Sequence, residues 1–456
     1  MYYDLTSLAV RLPEDIAKLK WFGDFEGAKR MIGLRLKKEL PRMLRERLKL
    51  ELLILERLPE QYIYSREEAL RLLQENIRDF KEEELDALRD EGAVEWIYVN
   101  GQVRYKDDIL ANLVKTRKYL ADRVLDPTLT EKKYQNFALL DETIRRMKEQ
   151  GTMAYYFHIR STLSVRPEWE RPGERIRVHL PVPVEYAQVK DFRLLAASDS
   201  MKSCAPPDYP QRTVYFEDTM AAGKKFMVEF SFENHMSYVE PKPEKALESR
   251  PTFYTEEQLP HIRFTPYLRS LAAEIVGAET NPVVKARRIY DYITTHVMYS
   301  FVRSYFTIDN LTEYMGTGLK GDCGIHALLF ITLCRIAGIP ARWQAGLYAT
   351  PLEIGCHDWA QFYIAPYGWL CADCSFGGAA WREGELERWN FYFGNLEPFR
   401  VPFNSDFQHA FIPPKEYMRN DPYDSQQGEA EYEDEGLWGD MYDTVHEILE
   451  IKEVSV

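Results

Sequence analysis

Residues 321–348 read GDCGIHALLFITLCRIAGIPARWQAGLY, and residues 355–377 read GCHDWAQFYIAPYGWLCADCSFG. These two stretches decide the fold of the chain. They contain Cys323, His357 and Asp373, the residue types that act together as nucleophile, base and orienting carboxylate. The three residues lie 34 and then 16 positions apart, too far for one helix face. The elements between them must therefore fold back to bring them together.

The first stretch predicts a helix that begins next to Cys323. Gly321 and Asp322 supply a turn and an N-cap residue. Gly338, followed by Pro340, marks the end of the helix. Apolar residues recur at helical spacing between these signals, namely Ala327, Leu328, Phe330, Ile331, Cys334 and Ile336. The helix therefore places Cys323 in its first turn.

A cysteine in the first turn of a helix faces the positive end of the helix dipole. It also lies beside backbone N–H groups that have no acceptor within the helix. We expect this setting to favour the thiolate form of Cys323, which is the form that attacks carbonyl carbons. The same N–H groups can stabilise an oxyanion that develops on a substrate. A lone cysteine at a helix start is more often a small buried apolar residue, so the hypothesis depends on the other two residues.

The second stretch predicts two antiparallel strands. The segment from His357 to Ile364 alternates with a period of two, and a tyrosine–glycine turn leads into a short strand from Trp369 to Asp373. An apolar run from Ala341 to Leu347 predicts a further strand. On the antiparallel pair, His357 and Asp373 lie side by side at the open end. A carboxylate on one imidazole nitrogen fixes the tautomer and leaves the other nitrogen to act on a thiol.

These residues resemble the transglutaminase-like cysteine peptidase superfamily, bacterial type, over roughly Ala286 to Gly377. Four features agree in order: Gly-Asp-Cys-Gly opens a helix, Gly-Ile-Pro-Ala-Arg closes it, His-x-Trp lies on a strand, and Trp-x-x-x-Asp lies on the next. The resemblance implies an α+β fold with a papain/transglutaminase-like core, in which the helix bearing the cysteine packs on an antiparallel sheet bearing the histidine and the aspartate. It also implies that Cys323, His357 and Asp373 are the catalytic residues.

The chain departs from the family pattern at two places. Family members more often have alanine or serine between the histidine and the tryptophan, where this chain has Asp358. Residues like Pro-Thr often follow the catalytic aspartate, where this chain has Cys374 and Ser375. The first departure bears on substrate choice, and neither removes a member of the triad.

A zinc site is the alternative interpretation of the cysteines. Cys371 and Cys374 form a C-x-x-C motif, and Cys356 and His357 precede it closely. The motif flanks a strand end rather than a glycine-rich knuckle, and the sequence has no second C-x-x-C. No loop has the spacing of a calcium-binding EF-hand. We therefore expect no metal and no other cofactor.

Composition excludes some classes of function. The 456 residues carry a net charge of −14 without a long block of lysine or arginine, which argues against a nucleic acid partner. No run of 18 apolar residues predicts a membrane span, and the amino terminus lacks the pattern of a secretory signal. The six cysteines do not resemble a disulfide framework. We expect a cytoplasmic protein that acts on a protein or peptide, and the oligomeric state stays open.

The sequence divides into five regions. Residues 1–150 predict a mostly helical domain with a small hairpin, with an accessory or dimerising role favoured over substrate recruitment. Residues 151–238 contain alternating runs typical of a small β-sandwich. Residues 239–250, with two prolines and several charges, are typical of a linker. Residues 251–420 are the predicted catalytic domain, and residues 421–456 are a predicted acidic tail.

Four patterns outside the core carry further expectations. The segment from Phe25 to Arg57 has an amphipathic helical pattern. The segment from Gln426 to Asp443 is strongly acidic, so we expect it to be mobile or a surface loop. The apolar residues from Thr444 to Val456 recur at a spacing closer to that of a helix than to that of a strand. This pattern does not decide between the two. The aromatic stretch after Gly378 predicts an irregular wrap around the core, with a carbohydrate-binding stripe as the alternative.

The favoured hypothesis is a thiol-dependent enzyme that cleaves or exchanges an amide through an acyl-thioester. Hydrolysis by a cysteine peptidase or amidase is preferred, because relatives with this compact core are often hydrolytic, which is an argument from resemblance. The alternatives are a transglutaminase with the same triad and a non-catalytic binding module with the same fold. A peptide N-glycanase is a weaker option, because its zinc-bearing members carry two C-x-x-C motifs. An intact triad argues against the binding module.

Overall fold

The computed structural model describes residues 4–247 and 251–455. Residues 1–3, 248–250 and 456 are the outer ends of the predicted helical domain, linker and tail, and they lie outside the described residues. The architecture is α+β, as predicted, with a helical N-terminal region, two sandwiched sheets and a core sheet covered by helices. Within these two ranges, no helix is both long enough and apolar enough to cross a membrane.

The N-terminal region is mostly helical. Its helices are α1 Glu14–Phe22, α2 Phe25–Leu36, α3 Arg42–Arg57, α4 Arg66–Asn76, α5 Glu82–Asp90, α6 Ile109–Thr116, α7 Lys118–Ala121 and α8 Thr128–Gln150. The predicted hairpin consists of β1 Trp96–Val99 and β2 Gln102–Tyr105. The amphipathic segment that begins at Phe25 forms two helices rather than one. Pro41 is the N-cap residue of α3, and a proline cannot continue the preceding helix.

Alternating sequence patterns form the strands that follow. They are β3 Thr152–Val165, β4 Arg175–Pro181, β5 Val189–Ala197, β6 Met201–Cys204, β7 Thr213–Thr219 and β8 Lys225–Ser237. Short 3-10 helices occur at Leu5–Ala9, Pro59–Gln61, Pro167–Trp169, Pro243–Lys245 and Tyr305–Thr307. The predicted linker is bound to the core, because the backbone N–H and carbonyl of Val239 both bond to the Asn395 side chain.

The core contains the elements predicted around the cysteine. Its helices are α9 Pro266–Val276, α10 Pro282–His296, α11 Leu311–Gly318, α12 Cys323–Ile336, α13 Cys374–Glu383 and α14 Leu386–Phe391. Its strands are β9 Met298–Tyr299, β10 Lys320–Gly321, β11 Ala341–Ala349, β12 Ile354–Ile364, β13 Gly368–Ala372, β14 Phe393–Gly394 and β15 Arg400–Asn404. The main sheet is antiparallel in the order β14-β13-β12-β11-β15, while β9 and β10 pair in parallel. Regular elements therefore replace the irregular wrap expected after Gly378 as far as Asn404, whereas residues 405–428 contain no helix or strand.

The predicted acidic tail forms two strands instead, β16 Glu429–Tyr432 and β17 Tyr442–Val454. They complete the sandwich, whose sheets have the orders β17-β3-β8-β5 and β16-β4-β7-β6 around a shared apolar core. The expectation that the acidic segment from Gln426 to Asp443 is mobile or a surface loop is wrong, because cationic side chains from other parts of the chain neutralise its carboxylates. Lys415 Nζ lies 2.8 Å from Glu429, and Arg177 lies 3.1 Å from Glu431.

The N-terminal helices and the core helices share one apolar cluster. Leu48 and Ile54 of α3 belong to the same buried cluster as Leu311 of α11 and Leu328 of α12. Burial of this shared surface attaches the N-terminal region to the core. Lys115 of α6 and Tyr119 of α7 line the same cavity as His357.

Candidate active site

Helix α12 begins at Cys323, as the sequence predicted. Asp322 caps it, because its carboxylate accepts a hydrogen bond from Ile325 N at 3.3 Å. Gly324 follows the cysteine where no side chain fits, since an added Cβ would lie 2.3 Å from the Tyr305 hydroxyl oxygen. The Gly-Asp-Cys-Gly motif therefore sets the position of the thiol through the backbone.

Strands β12 and β13 bring His357 and Asp373 together. The two strands pair in antiparallel fashion, and Asp373 follows the end of β13 and caps α13. His357 Nε2 and Asp373 Oδ2 lie 2.7 Å apart, and both side chains are buried. This contact leaves Nδ1 as the ring nitrogen that the carboxylate does not engage. The pair has the geometry of a base and its orienting carboxylate.

Several donors keep Asp373 ionised. Arg400 Nη1 lies 3.0 Å from Oδ2, while the Ser375 hydroxyl and the Phe376 N–H donate to Oδ1 at 3.0 and 2.9 Å. Burial opposes ionisation, but the charge of Arg400 and the hydrogen bonds from His357 and Phe376 outweigh it and hold the pKa of Asp373 well below its usual range. The carboxylate can therefore orient the imidazole without taking its proton.

The imidazole of His357 is neutral at pH 7. Burial lowers the pKa of His357 below its ordinary value of 6.5, and the positive charges of Arg400 and Lys115 act in the same direction against the opposing effect of Asp373. A neutral imidazole with one uncommitted nitrogen can accept a proton. The ring is thus in the protonation state that a general base requires.

The thiol of Cys323 donates a hydrogen bond to Asp358 Oδ2 at 3.2 Å. Within the described ranges, no hydrogen bond joins this thiol to His357. Burial raises the pKa of Cys323 well above its ordinary value, and the carboxylates of Asp358 and Asp322 raise it further. The prediction of a thiolate is therefore wrong. The helix dipole supplies only about half a positive charge, and burial and two carboxylates outweigh it.

Asp358 is the residue whose importance the sequence did not reveal, beyond its departure from the family pattern. Its side chain is buried, and Oδ1 accepts a hydrogen bond from Gln426 Nε2 at 2.7 Å. Burial raises the pKa of Asp358 to about 7, and the carboxylates of Asp322 and Asp421 contribute in the same direction. Asp358 therefore changes its charge near neutral pH, next to the thiol.

The C-terminal segment contributes directly to this environment. Asp424 is buried beside Asp358, and burial together with the charges of Asp421 and Asp358 raises the pKa of Asp424 well above its usual range. Gln426 also donates to the carbonyl of His357 at 3.1 Å. No sequence signal pointed to these residues, because acidic composition had indicated a solvated segment.

A cavity of about 1320 Å³ lies on the His357 side of the site. Its wall also contains Tyr299, Phe376 and the exposed Cys356. Burial raises the pKa of Tyr299 well above its usual value, and the neighbouring Cys323 acts in the same direction. Tyr299 thus connects the cavity with the surroundings of the thiol.

The cysteines of the C-x-x-C motif lie inside the core. Cys371 is buried on β13, and Cys374 is buried at the start of α13. In the part of the chain that the structure describes, no group of three or more histidine, cysteine, aspartate or glutamate side chains is placed to hold a metal ion. The described residues therefore provide no ligand set for the zinc alternative.

The match to known proteins concentrates on this part of the chain. Residues 269–374 match the model of the transglutaminase-like superfamily, so this segment is a transglutaminase-like domain. An uncharacterized protein of Haemophilus influenzae is 23% identical over 296 residues, which are 56% of this chain and 80% of that protein.

Two solved structures are also similar. One is a candidate cysteine protease from Cytophaga hutchinsonii, 16% identical with a TM-score of 0.41, covering 67% of this chain and 92% of that one. The other is the periplasmic domain of TgpA from Pseudomonas aeruginosa, 15% identical with a TM-score of 0.29, covering 54% of this chain and 94% of that one.

Proposed function

We propose that this protein is a thiol-dependent acyl-transfer enzyme that cleaves an amide bond. Cys323 is the nucleophile, His357 is the base, and Asp373 orients the histidine. The observation that carries the proposal is the buried 2.7 Å contact between His357 and Asp373, in a chain whose Cys323 opens a helix and whose residues 269–374 match the transglutaminase-like model. Acyl-transfer enzymes combine these three residue types for this chemistry.

The proton starts on sulfur. Because burial and carboxylates raise the pKa of Cys323 while burial lowers the pKa of His357, the resting pair is a neutral thiol and a neutral imidazole. The proposed reaction requires the thiol to leave its hydrogen bond with Asp358 and to reach His357. His357 then accepts the proton while sulfur bonds to the carbonyl carbon, which is general-base catalysis. Asp358 holds the thiol proton until that step.

The tetrahedral intermediate carries its negative charge on the former carbonyl oxygen. The first-turn N–H groups of α12, at Cys323 and Gly324, are the donors proposed for that oxygen. When the intermediate collapses, the C–N bond breaks, and the amine leaves with the proton from His357. The acyl group stays on sulfur as a thioester. Water, deprotonated by His357, then releases the acid and restores the thiol.

Hydrolysis of a protein or peptide is the favoured reaction. The cavity, at about 1320 Å³, exceeds the roughly 300–1,000 Å³ of ordinary small-molecule sites, which suits a peptide chain. Transfer of the acyl group to an amine, as in a transglutaminase, uses the same triad and differs only in the acceptor. A cytoplasmic location is proposed with it, because all six cysteines are unpaired thiols.

The test compares wild type with Cys323→Ala and His357→Ala on unstructured protein substrates. New amino termini and released amines are measured by mass spectrometry, with and without hydroxylamine as a competing acceptor. We expect cleavage by wild type only, with part of the product captured as hydroxamate. Unchanged cleavage by Cys323→Ala would remove the proposed nucleophile. A wild-type protein that binds these substrates without any covalent chemistry would favour the binding module.

A further inference from the structure

The wall of the cavity beside His357 contains five cationic and three acidic side chains, the acids being Asp122, Glu353 and Glu383. Three of the cations are called the cationic cluster. They are Lys115 on α6, Arg117 between α6 and α7, and Arg382 on α13. Lys115 and Arg382 are exposed, and Arg117 is half-buried. The chain as a whole carries a net charge of −14, so this local excess of positive charge opposes the overall composition.

None of these three cations forms an ion pair with a carboxylate of the described residues, although Glu91 attracts Arg117 and Glu383 attracts Arg382. Arg117 donates to the backbone carbonyl of Thr116 at 3.3 Å. Lys115 lies over the ring of Tyr299, 5.2 Å from its centroid. No acidic side chain in the described ranges forms an ion pair with Arg382. Cationic side chains that outnumber the acidic ones around a common space favour an anion in that space.

A neighbouring arginine in the same wall shows the contrast. Arg388 is nearly buried, and its Nη1 lies 2.9 Å from Asp141. Arg382 forms no ion pair with a carboxylate of the described residues, and partial loss of hydration and then repulsion from Arg117 lower its pKa against the attraction of Glu383. The two guanidinium groups therefore disfavour each other until an anion lies between them.

The cationic cluster lies close to the reacting groups. The positive charge of Lys115 lowers the pKa of both Cys323 and His357. It therefore opposes the effect of burial on the pKa of Cys323 and adds to the effect of burial on the pKa of His357. Lys115 also lines the same cavity as His357 and lies 5.2 Å from the ring centroid of Tyr299, so an anionic group held by Lys115 would lie in the cavity that His357 faces. The N-terminal region supplies two of the three cations, which gives it a direct role at the site.

We propose that this cavity is the subsite for a carboxylate of the acyl donor, so that the enzyme selects acidic peptides. The assignment rests on the proposed acyl-transfer function for the position of the reacting amide. Guanidinium groups bind carboxylates through paired N–H donors, and the ammonium of Lys115 adds a point charge on the side of the thiol.

The first measurement uses pools of acetylated and amidated hexapeptides in which one position at a time is glutamate, glutamine or lysine. Mass spectrometry gives kcat/KM for each pool with the full-length wild type. At one position we expect glutamate to exceed glutamine on the order of tenfold, because a hydrogen bond to a charged group supplies at least this discrimination. The preference should shrink in high salt, which screens exposed charges.

The second measurement uses the double variant Arg117→Gln/Arg382→Gln, with Arg71→Gln as the matched control. Arg71 is an exposed arginine on α4 that is not part of the cavity wall. We expect the double variant to lose the glutamate preference while its kcat/KM for glutamine pools changes by less than about threefold. The control should keep the preference. No glutamate preference in wild type, or its persistence in the double variant, overturns the assignment.

A binding measurement separates this inference from the proposed function. The Cys323→Ala variant is titrated calorimetrically with the glutamate and the glutamine pools. Tighter binding of glutamate pools that depends on Arg117 and Arg382 supports the subsite, even if the wild type cleaves nothing. An absence of cleavage by the wild type would overturn only the acyl-transfer function. Equal binding of both pools overturns the subsite even if Cys323-dependent cleavage occurs.

Discussion

Replacement of Asp358 by asparagine should make Cys323 more reactive toward alkylation. Asparagine keeps the size of the side chain and a carbonyl oxygen near the thiol, but it removes the negative charge 3.2 Å from sulfur. That charge is one of the causes that raise the pKa of Cys323, after burial. Its removal therefore increases the fraction of thiolate at a given pH.

The magnitude follows from the distance. Two unit charges 3.2 Å apart repel by about 5 kcal/mol at an effective dielectric constant of about 20, and about 1.4 kcal/mol already changes the thiolate fraction tenfold. A tenfold rise in thiolate raises the alkylation rate only about threefold, because a less basic thiolate is also a weaker nucleophile. We therefore expect an increase of about threefold or more at pH 8, where Asp358, with a pKa of about 7, is ionised in the wild type.

The assay is the second-order rate of iodoacetamide labelling, measured by peptide mapping. Both proteins carry Cys356→Ser, because Cys356 is exposed and would also react. Asp199→Asn, which removes an exposed carboxylate elsewhere, is the control and should leave the Cys323 rate unchanged. A Cys323 rate that is equal or lower in Asp358→Asn would refute the role assigned to this carboxylate.

Three further outcomes are expected. Asp373→Asn should lower kcat by about 10⁴-fold, because the carboxylate that fixes the tautomer of His357 is lost. Urea unfolding of this variant should show a less stable protein, because Arg400 loses a buried partner. In the Asp358→Asn variant, in which that carboxylate no longer titrates beside the thiol, the pH profile of kcat/KM should fall only below about pH 6.5, as His357 becomes protonated at its lowered pKa, and a half-maximum above pH 7 would contradict this. Glu429→Gln should destabilise the protein by about 3–5 kcal/mol in urea unfolding because Lys415 stays buried without its carboxylate, whereas a mobile tail would show no change.

Local signals predicted the elements that carry the site. Asp322 as a cap and Gly338 as a stop bounded α12 within a few residues, because caps and turns depend on near neighbours in the chain. Local signals also predicted that His357 and Asp373 lie together, since one antiparallel pair of strands with one tight turn brings them together. The helical, sandwich and core regions could therefore be recognised in order.

Contacts between distant segments explain what the sequence did not reveal. The dipole of α12 favoured a thiolate, but Asp358 reaches the thiol from another element and reverses the electrostatics. The acidity of the C-terminal segment suggested solvation, but Lys415 neutralises Glu429 and allows β16 to join the sandwich. Charge counts along a sequence do not include such partners.

The most direct measurement is the mass of the enzyme trapped during turnover. Wild type is quenched in acid within the first turnover, digested, and mapped for an acyl group on each cysteine-containing peptide. We expect the acyl group on Cys323, its sensitivity to hydroxylamine, and its absence in Cys323→Ala. Cleavage that proceeds with the acyl group on Cys356, or with no acyl-enzyme in either protein, would contradict the assignment of Cys323 as the nucleophile.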